Sequence, residues 1–173
     1  MRLIAAAVTV LALLAAAPAE AHTTLTEAPR TYQGAVDRAL LPTPDFPVRV
    51  IAGRCGDHDG CAQLADNTIT VDPAHFSPFL VMHELYHLLD YRLLTDAERA
   101  EFQRITRDTR PWGLGDEGTP AECFASAAAY LATMRERDIW VPQFRDDNRC
   151  VARAMAHRRE VRWLVRGVVG ASR

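Results

Sequence analysis

His83-Glu84-Leu85-Tyr86-His87 is the stretch on which the reading of this chain turns. In a helix, a separation of four residues carries the second imidazole one turn along and about 40° round from the first. Two neutral imidazoles then point the same way, as a tetrahedral metal ion requires of its first two ligands. Glu84 directly follows the first histidine and projects to the side, so it reaches a water on the metal rather than the metal itself. A carboxylate placed there takes a proton from that water and returns it to a leaving group.

The flanks support a helix. Ser77 is an N-cap with Pro78 at the first helical position, and the apolar residues from Phe79 to Leu94 mark a buried segment. Thr95-Asp96-Ala97-Glu98 reads as a capping box opening a second helix to about Asp108, with Ala97, Ala100, Phe102 and Ile105 available to the core. Thr119-Pro120-Ala121-Glu122 opens a third, through about Arg135, and a last helix is expected from about Asp147 to Arg166. Upstream, a short helix is expected around Tyr32–Leu41. The β-branched, alternating runs Val48–Ile51 and Thr68–Asp72 are strands, with room for a third short one around Ala62–Ala65. The expected fold is α+β: a small, mostly antiparallel sheet packed on the histidine helix, with a glutamate helix and a C-terminal helix behind it.

A catalytic zinc site keeps three protein ligands and leaves one position open. Asp90 and Leu93 stand where a glycine and a third histidine would extend the motif, so the third ligand lies elsewhere. His58, His75, His157 and several carboxylates are available. Glu122 is the strongest candidate, at the start of a helix that can return antiparallel to the first. Its position three residues after Thr119 is also what a capping box asks for, and Glu117 is the reserve.

HELYH followed by Thr119-Pro120-Ala121-Glu122-Cys123-Phe124-Ala125-Ser126 resembles the gluzincin metallopeptidases, particularly their small forms, over roughly residues 68–132. The resemblance implies His83, His87 and Glu122 as zinc ligands and Glu84 as general base. It also implies that Thr68–Asp72 borders the cleft and holds an extended substrate by strand addition. Two departures stand out. Gluzincins commonly carry an acidic residue four positions after the ligand glutamate, where this chain has Ser126; Asp90 is a substitute for orienting a ligand histidine. Members also offer a Tyr or His to the developing oxyanion, for which Tyr130 and His75 are the candidates here.

Composition sets the setting. Arg2, the apolar run of about 15 residues from Leu3 to Ala17, and Ala19-Glu20-Ala21 form a secretory signal over residues 1–21, cleaved before His22. Residues 22–173 then make one zincin-like domain, long enough to bury roughly two thirds of its unfolded surface. Four cysteines in an exported chain are read as disulfides, and proximity favours Cys55–Cys61 and Cys123–Cys150. Asp57-His58-Asp59, between the first pair, is read as a solvated turn rather than a second metal site. All 20 basic residues are arginine, which excludes lysine-based catalysis. A formal net charge of −2 gives no whole-molecule bias toward nucleic acid.

The last helix is read as amphipathic, with its arginines in solvent and Val151, Ala154, Met155, Val161, Trp163, Leu164 and Val165 inward. The expectation is a secreted or periplasmic monomeric Zn2+ peptidase acting on peptide or protein substrates, with no nucleic acid and no membrane partner after signal cleavage. The alternative is a degenerate zinc-binding protein that serves as an interaction or inhibitory domain.

Overall fold

The computed structural model describes residues 24–26, 28, 30–113, 118–135 and 149–171. The signal segment and Glu117 lie outside the described residues. The elements run β1 (Leu25–Thr26), α1 (Arg30–Asp37), β2 (Val48–Ala52), β3 (Gly60–Gln63), β4 (Thr68–Val71), a 3-10 turn (Pro73–His75), α2 (Pro78–Leu93), α3 (Asp96–Thr106), α4 (Pro120–Thr133), α5 (Arg149–Ala156) and α6 (Arg158–Ala171). The fold is α+β with a four-stranded mixed sheet.

Strand direction departs from the sequence reading. The order is β1-β2-β4-β3, with β1/β2 and β2/β4 parallel and only β3/β4 antiparallel. Hydrophobic alternation fixes which face of a strand is buried and says nothing of its direction. After β2 the chain crosses to the far edge as β3. It then turns back through Asn67, whose left-handed backbone (φ 53°) suits asparagine, so that β4 enters between β2 and β3. That central place explains why all four β4 residues are buried.

On this sheet lies α2, the pivot of the molecule. Ser77 Oγ accepts from Leu80 N at 3.1 Å and Pro78 occupies the first turn, as the sequence indicates. Val81, Met82, Leu85, Leu88 and Leu89 are all fully buried. At about 2 kcal/mol each, their burial contributes on the order of 10 kcal/mol. That is enough to offset the cost of enclosing Glu84, His87 and Asp90 on the same helix, provided each finds partners.

Asp90 finds them away from the histidines. It accepts from Arg99 Nε and from Trp112 Nε1, both at 2.9 Å, and Arg99 also donates to its carbonyl at 2.9 Å. Among the described residues it makes no hydrogen bond to His83 or His87; it ties the end of α2 to α3 and to the loop beyond. The capping box that opens α3 is complete: Glu98 N donates to Thr95 Oγ1 at 3.3 Å, and Thr95 N donates to Glu98 Oε2 at 2.7 Å. Phe102 and Ile105 enter the core, whereas Ala97 and Ala100 are exposed.

The alanine-rich α4 buries Ala121, Ala125, Ala127, Ala128, Ala129 and Ala132, and these short side chains let it approach α2 closely. Behind it, the single C-terminal helix expected from the sequence is two helices, α5 and α6, with a turn at His157. Both expected disulfides are present, Cys55–Cys61 across the loop from β2 to β3 and Cys123–Cys150 between α4 and α5. Among the described residues no helix is long and apolar enough to cross a membrane.

The bridges close loops of very different size, with separations of 27 residues for Cys123–Cys150 and 6 for Cys55–Cys61. Loop-closure entropy then predicts that Cys123→Ala/Cys150→Ala costs about 3.5 kcal/mol and Cys55→Ala/Cys61→Ala about 2 kcal/mol. Urea unfolding of the two double variants checks the order; equal losses would contradict it.

Candidate metal centre

α2 and α4 lie antiparallel, and residues four apart on each meet in successive rungs. His87 and His83 face Glu122, His83 also faces Ser126, and the Phe79 ring lies 4.4 Å from the Tyr130 ring. Glu122, Ser126 and Tyr130 therefore form one stripe on α4 against Phe79, His83 and His87 on α2.

The first rung gathers three donor groups. His87 Nε2 lies 3.0 Å from His83 Nε2 and 3.1 Å from Glu122 Oε1, while His83 Nε2 lies 3.3 Å from Glu122 Oε2. Ligands bonded at about 2.0–2.1 Å to a tetrahedral zinc stand about 3.3 Å apart, so this triangle has the right dimensions. The donor set, two imidazole nitrogens and a carboxylate, also fits. These three residues can hold a metal ion.

Glu122 has two prospective roles, cap and ligand. Thr119 Oγ1 accepts from Glu122 N at 3.4 Å, which is half of a capping box. The carboxylate itself faces the two imidazoles, one oxygen toward each ring. Burial pushes this carboxyl up, but the hydrogen bonds and charges of His83 and His87 outweigh it and hold it well below the usual carboxylate range. In His87, burial works against the charged ring, yet Glu122 prevails and the pKa is raised.

Glu84 sits beside this group, 4 % exposed. Burial raises its pKa, with the opposing pull of the two histidines too small to reverse the shift. Ser126 Oγ lies 3.3 Å from His83 Nδ1. The hydroxyl thus occupies the place where the gluzincin pattern has an acid, and a proton on Nδ1 leaves Nε2 free to ligate.

Of the other residues singled out in the sequence, His58 is near enough to Glu84 for its charge to oppose the rise in that carboxyl's pKa, and the rest lie apart. His75 Nδ1 pairs with Asp59 Oδ1 at 3.1 Å and Asp72 Oδ2 at 3.3 Å. Asp72 also caps the 3-10 turn, accepting from Ala74 N at 2.8 Å. His58 belongs to the turn bridged to Cys55, and His157 pairs with Glu160 on α6. Asp59 thus leaves the simple solvated turn read from the sequence and joins a second polar cluster with Asp72 and His75.

The strand bordering the site is also corrected. Thr68–Val71 is paired on both sides and has no free edge; of the two edge strands, β1 and β3, β3 is the one whose Gly60 abuts Glu84. Asp72 N donates to Asp59 O at 2.7 Å. Antiparallel alternation then turns the backbone groups of Gly60 and Ala62 outward, to the open side. Gly60 also abuts the site: a Cβ there would stand 2.9 Å from Glu84 Oε1 and 3.0 Å from Leu80 Cδ1. Glycine inside a strand marks a close approach, a signal that is readable only once Gly60 is known to open β3.

No protein-family model, curated protein or solved structure matches the chain.

Gly60→Ala is expected to displace the Glu84 carboxylate and to lower stability by about 1–3 kcal/mol through overpacking. Urea unfolding alongside Gly56→Ala, a loop control with nothing within 4 Å of the added Cβ, measures it. A loss no larger in Gly60→Ala than in the strained control would contradict the close contact.

Proposed function

We propose that this chain is a zinc-dependent metallopeptidase of gluzincin type, with His83, His87 and Glu122 as ligands and Glu84 as general base. The observation that carries the reading is the Glu122 carboxylate, whose two oxygens face two imidazoles spaced one turn apart on a buried helix. When bound, zinc would supply a Lewis acid that polarises a carbonyl and eases deprotonation of water.

The chain's own residues account for the rest. Glu84, enclosed beside the ligands, takes a proton from water and passes it to the departing amine. Ser126 orients His83. The outward backbone of Gly60 and Ala62 offers hydrogen bonds to an extended peptide laid along β3, which brings a peptide bond alongside Glu84. Two disulfides favour an oxidising compartment, in keeping with the secretory signal.

One observation favours a second reading, a zinc-binding domain without turnover. Tyr130 packs on Phe79 with the rings tilted by 41°, two rungs from Glu122, and His75 is engaged by Asp59 and Asp72 in a separate cluster.

Glu84→Gln separates the two. Zinc per chain is expected to stay at the wild-type level, while cleavage of a peptide library, followed by mass spectrometry, falls at least about 100-fold. Undiminished cleavage in the variant refutes the mechanism. Zinc in both proteins with cleavage by neither selects the binding domain.

A further inference from the structure

Trp163 lies where the sequence reading did not put it. It was expected to pack inward, but it is 74 % exposed, the most exposed of the described large hydrophobic residues. The buried stripe of α6 is Val161, Leu164, Val165, Val168 and Val169, and Trp163 falls off it. Arg159 and Arg166 are exposed on the same side, one turn before and one turn after the indole.

The same face continues into Gly167 and Gly170, where an added Cβ would meet nothing within 4 Å. Packing within the chain therefore does not demand glycine at either position, although glycine weakens a helix relative to alanine. What the pair leaves is low, bare backbone beside a projecting indole.

Charge is concentrated here. From Arg149 to Ala171 there are six arginines and one glutamate, in a chain whose formal net charge is −2. The positive end of the molecule is thus α5 and α6, and the remainder is acidic. A second copy docking face to face would set these arginines against one another, which disfavours self-association. Trp163 also borders an open cavity of about 340 Å³ between α3 and α6, floored by Ile105 and Leu164 and rimmed by Arg104, Arg159, Glu101 and Glu160. Arg104 is paired with both carboxylates, at 2.7 Å to Glu101 and 3.6 Å to Glu160, which leaves Arg159 beside the indole.

We propose that the Trp163 face of α6 docks the protein on the surface of an anionic phospholipid bilayer. Arg159 and Arg166 meet the headgroups, and the indole enters the interfacial layer where aromatic rings with one polar edge are favoured. The protein lies on such a surface and does not span it. α6 packs on α3, α4 and α5, whereas the histidines lie on α2, so docking leaves the metal centre open. The proposal stands independently of the peptidase reading.

The test is sedimentation with vesicles of equimolar phosphatidylglycerol and phosphatidylcholine, beside vesicles of phosphatidylcholine alone. It uses the chain from His22 onward, which contains every described element. Binding is expected to the anionic vesicles only, and to weaken as salt is raised. Arg159→Glu/Arg166→Glu is expected to lower partitioning at least about tenfold, and Trp163→Ala to lower it and abolish the blue shift of tryptophan emission. Neither change removes a buried side chain, and unaltered urea midpoints verify folding.

Equal binding to neutral vesicles, no binding to either, or binding unaffected by the variants would overturn the proposal. Binding to duplex DNA as tight as to the anionic vesicles would make the face a general polyanion site and overturn it. A wild-type dimer that Trp163→Ala dissociates would assign the face to a second copy instead.

Discussion

The closest constraint in this molecule is the approach of one carboxylate on α4 to two imidazoles on α2, with donor atoms 3.0–3.3 Å apart. Much of the architecture follows from it. Two helices must lie antiparallel and near, which is why α4 is built of alanine along its buried surface. The helix that carries the two histidines is enclosed: α2 is apolar nearly all round and sits between sheet and helices. The Cys123–Cys150 bridge begins at the residue after Glu122 and fixes that end of α4 to α5.

Enclosure has a cost, since Glu84, His87 and Asp90 are withdrawn from water on a single helix. Each is met differently. Asp90 is satisfied by Arg99 and Trp112 and serves the fold. His87 is satisfied by Glu122. Glu84 has burial as the dominant influence on its titration and the bare backbone of Gly60 against its carboxylate. Of the three, Glu84 is the group whose placement stability explains least, which is the ground for proposing a chemical role for it.

What the sequence made legible was local. The i, i+4 histidines, Ser77 and Pro78 at the start of α2, and the Thr95–Glu98 box are each written within a few residues, and they lie as written. Glu122 was legible only as an ambiguity, because a cap and a ligand ask for the same residue at the same place; in the fold its carboxylate faces the two imidazoles. Strand direction was not legible, since alternation encodes faces. The edge role therefore passed from β4 to β3. Trp163 was misread because it is apolar, although its position lies off the stripe set by Val161, Leu164, Val165 and Val168. Gly60 was hidden for the opposite reason: it acts by lacking a side chain.

On the proposed reading, α2 and α4 together make one three-ligand metal centre. Zinc per chain, measured by elemental analysis on the wild type and on Glu122→Ala at neutral pH, tests it most directly. The account predicts one zinc in the wild type and a large loss in the variant. No zinc in either protein, or one zinc retained in full by the variant, would contradict it.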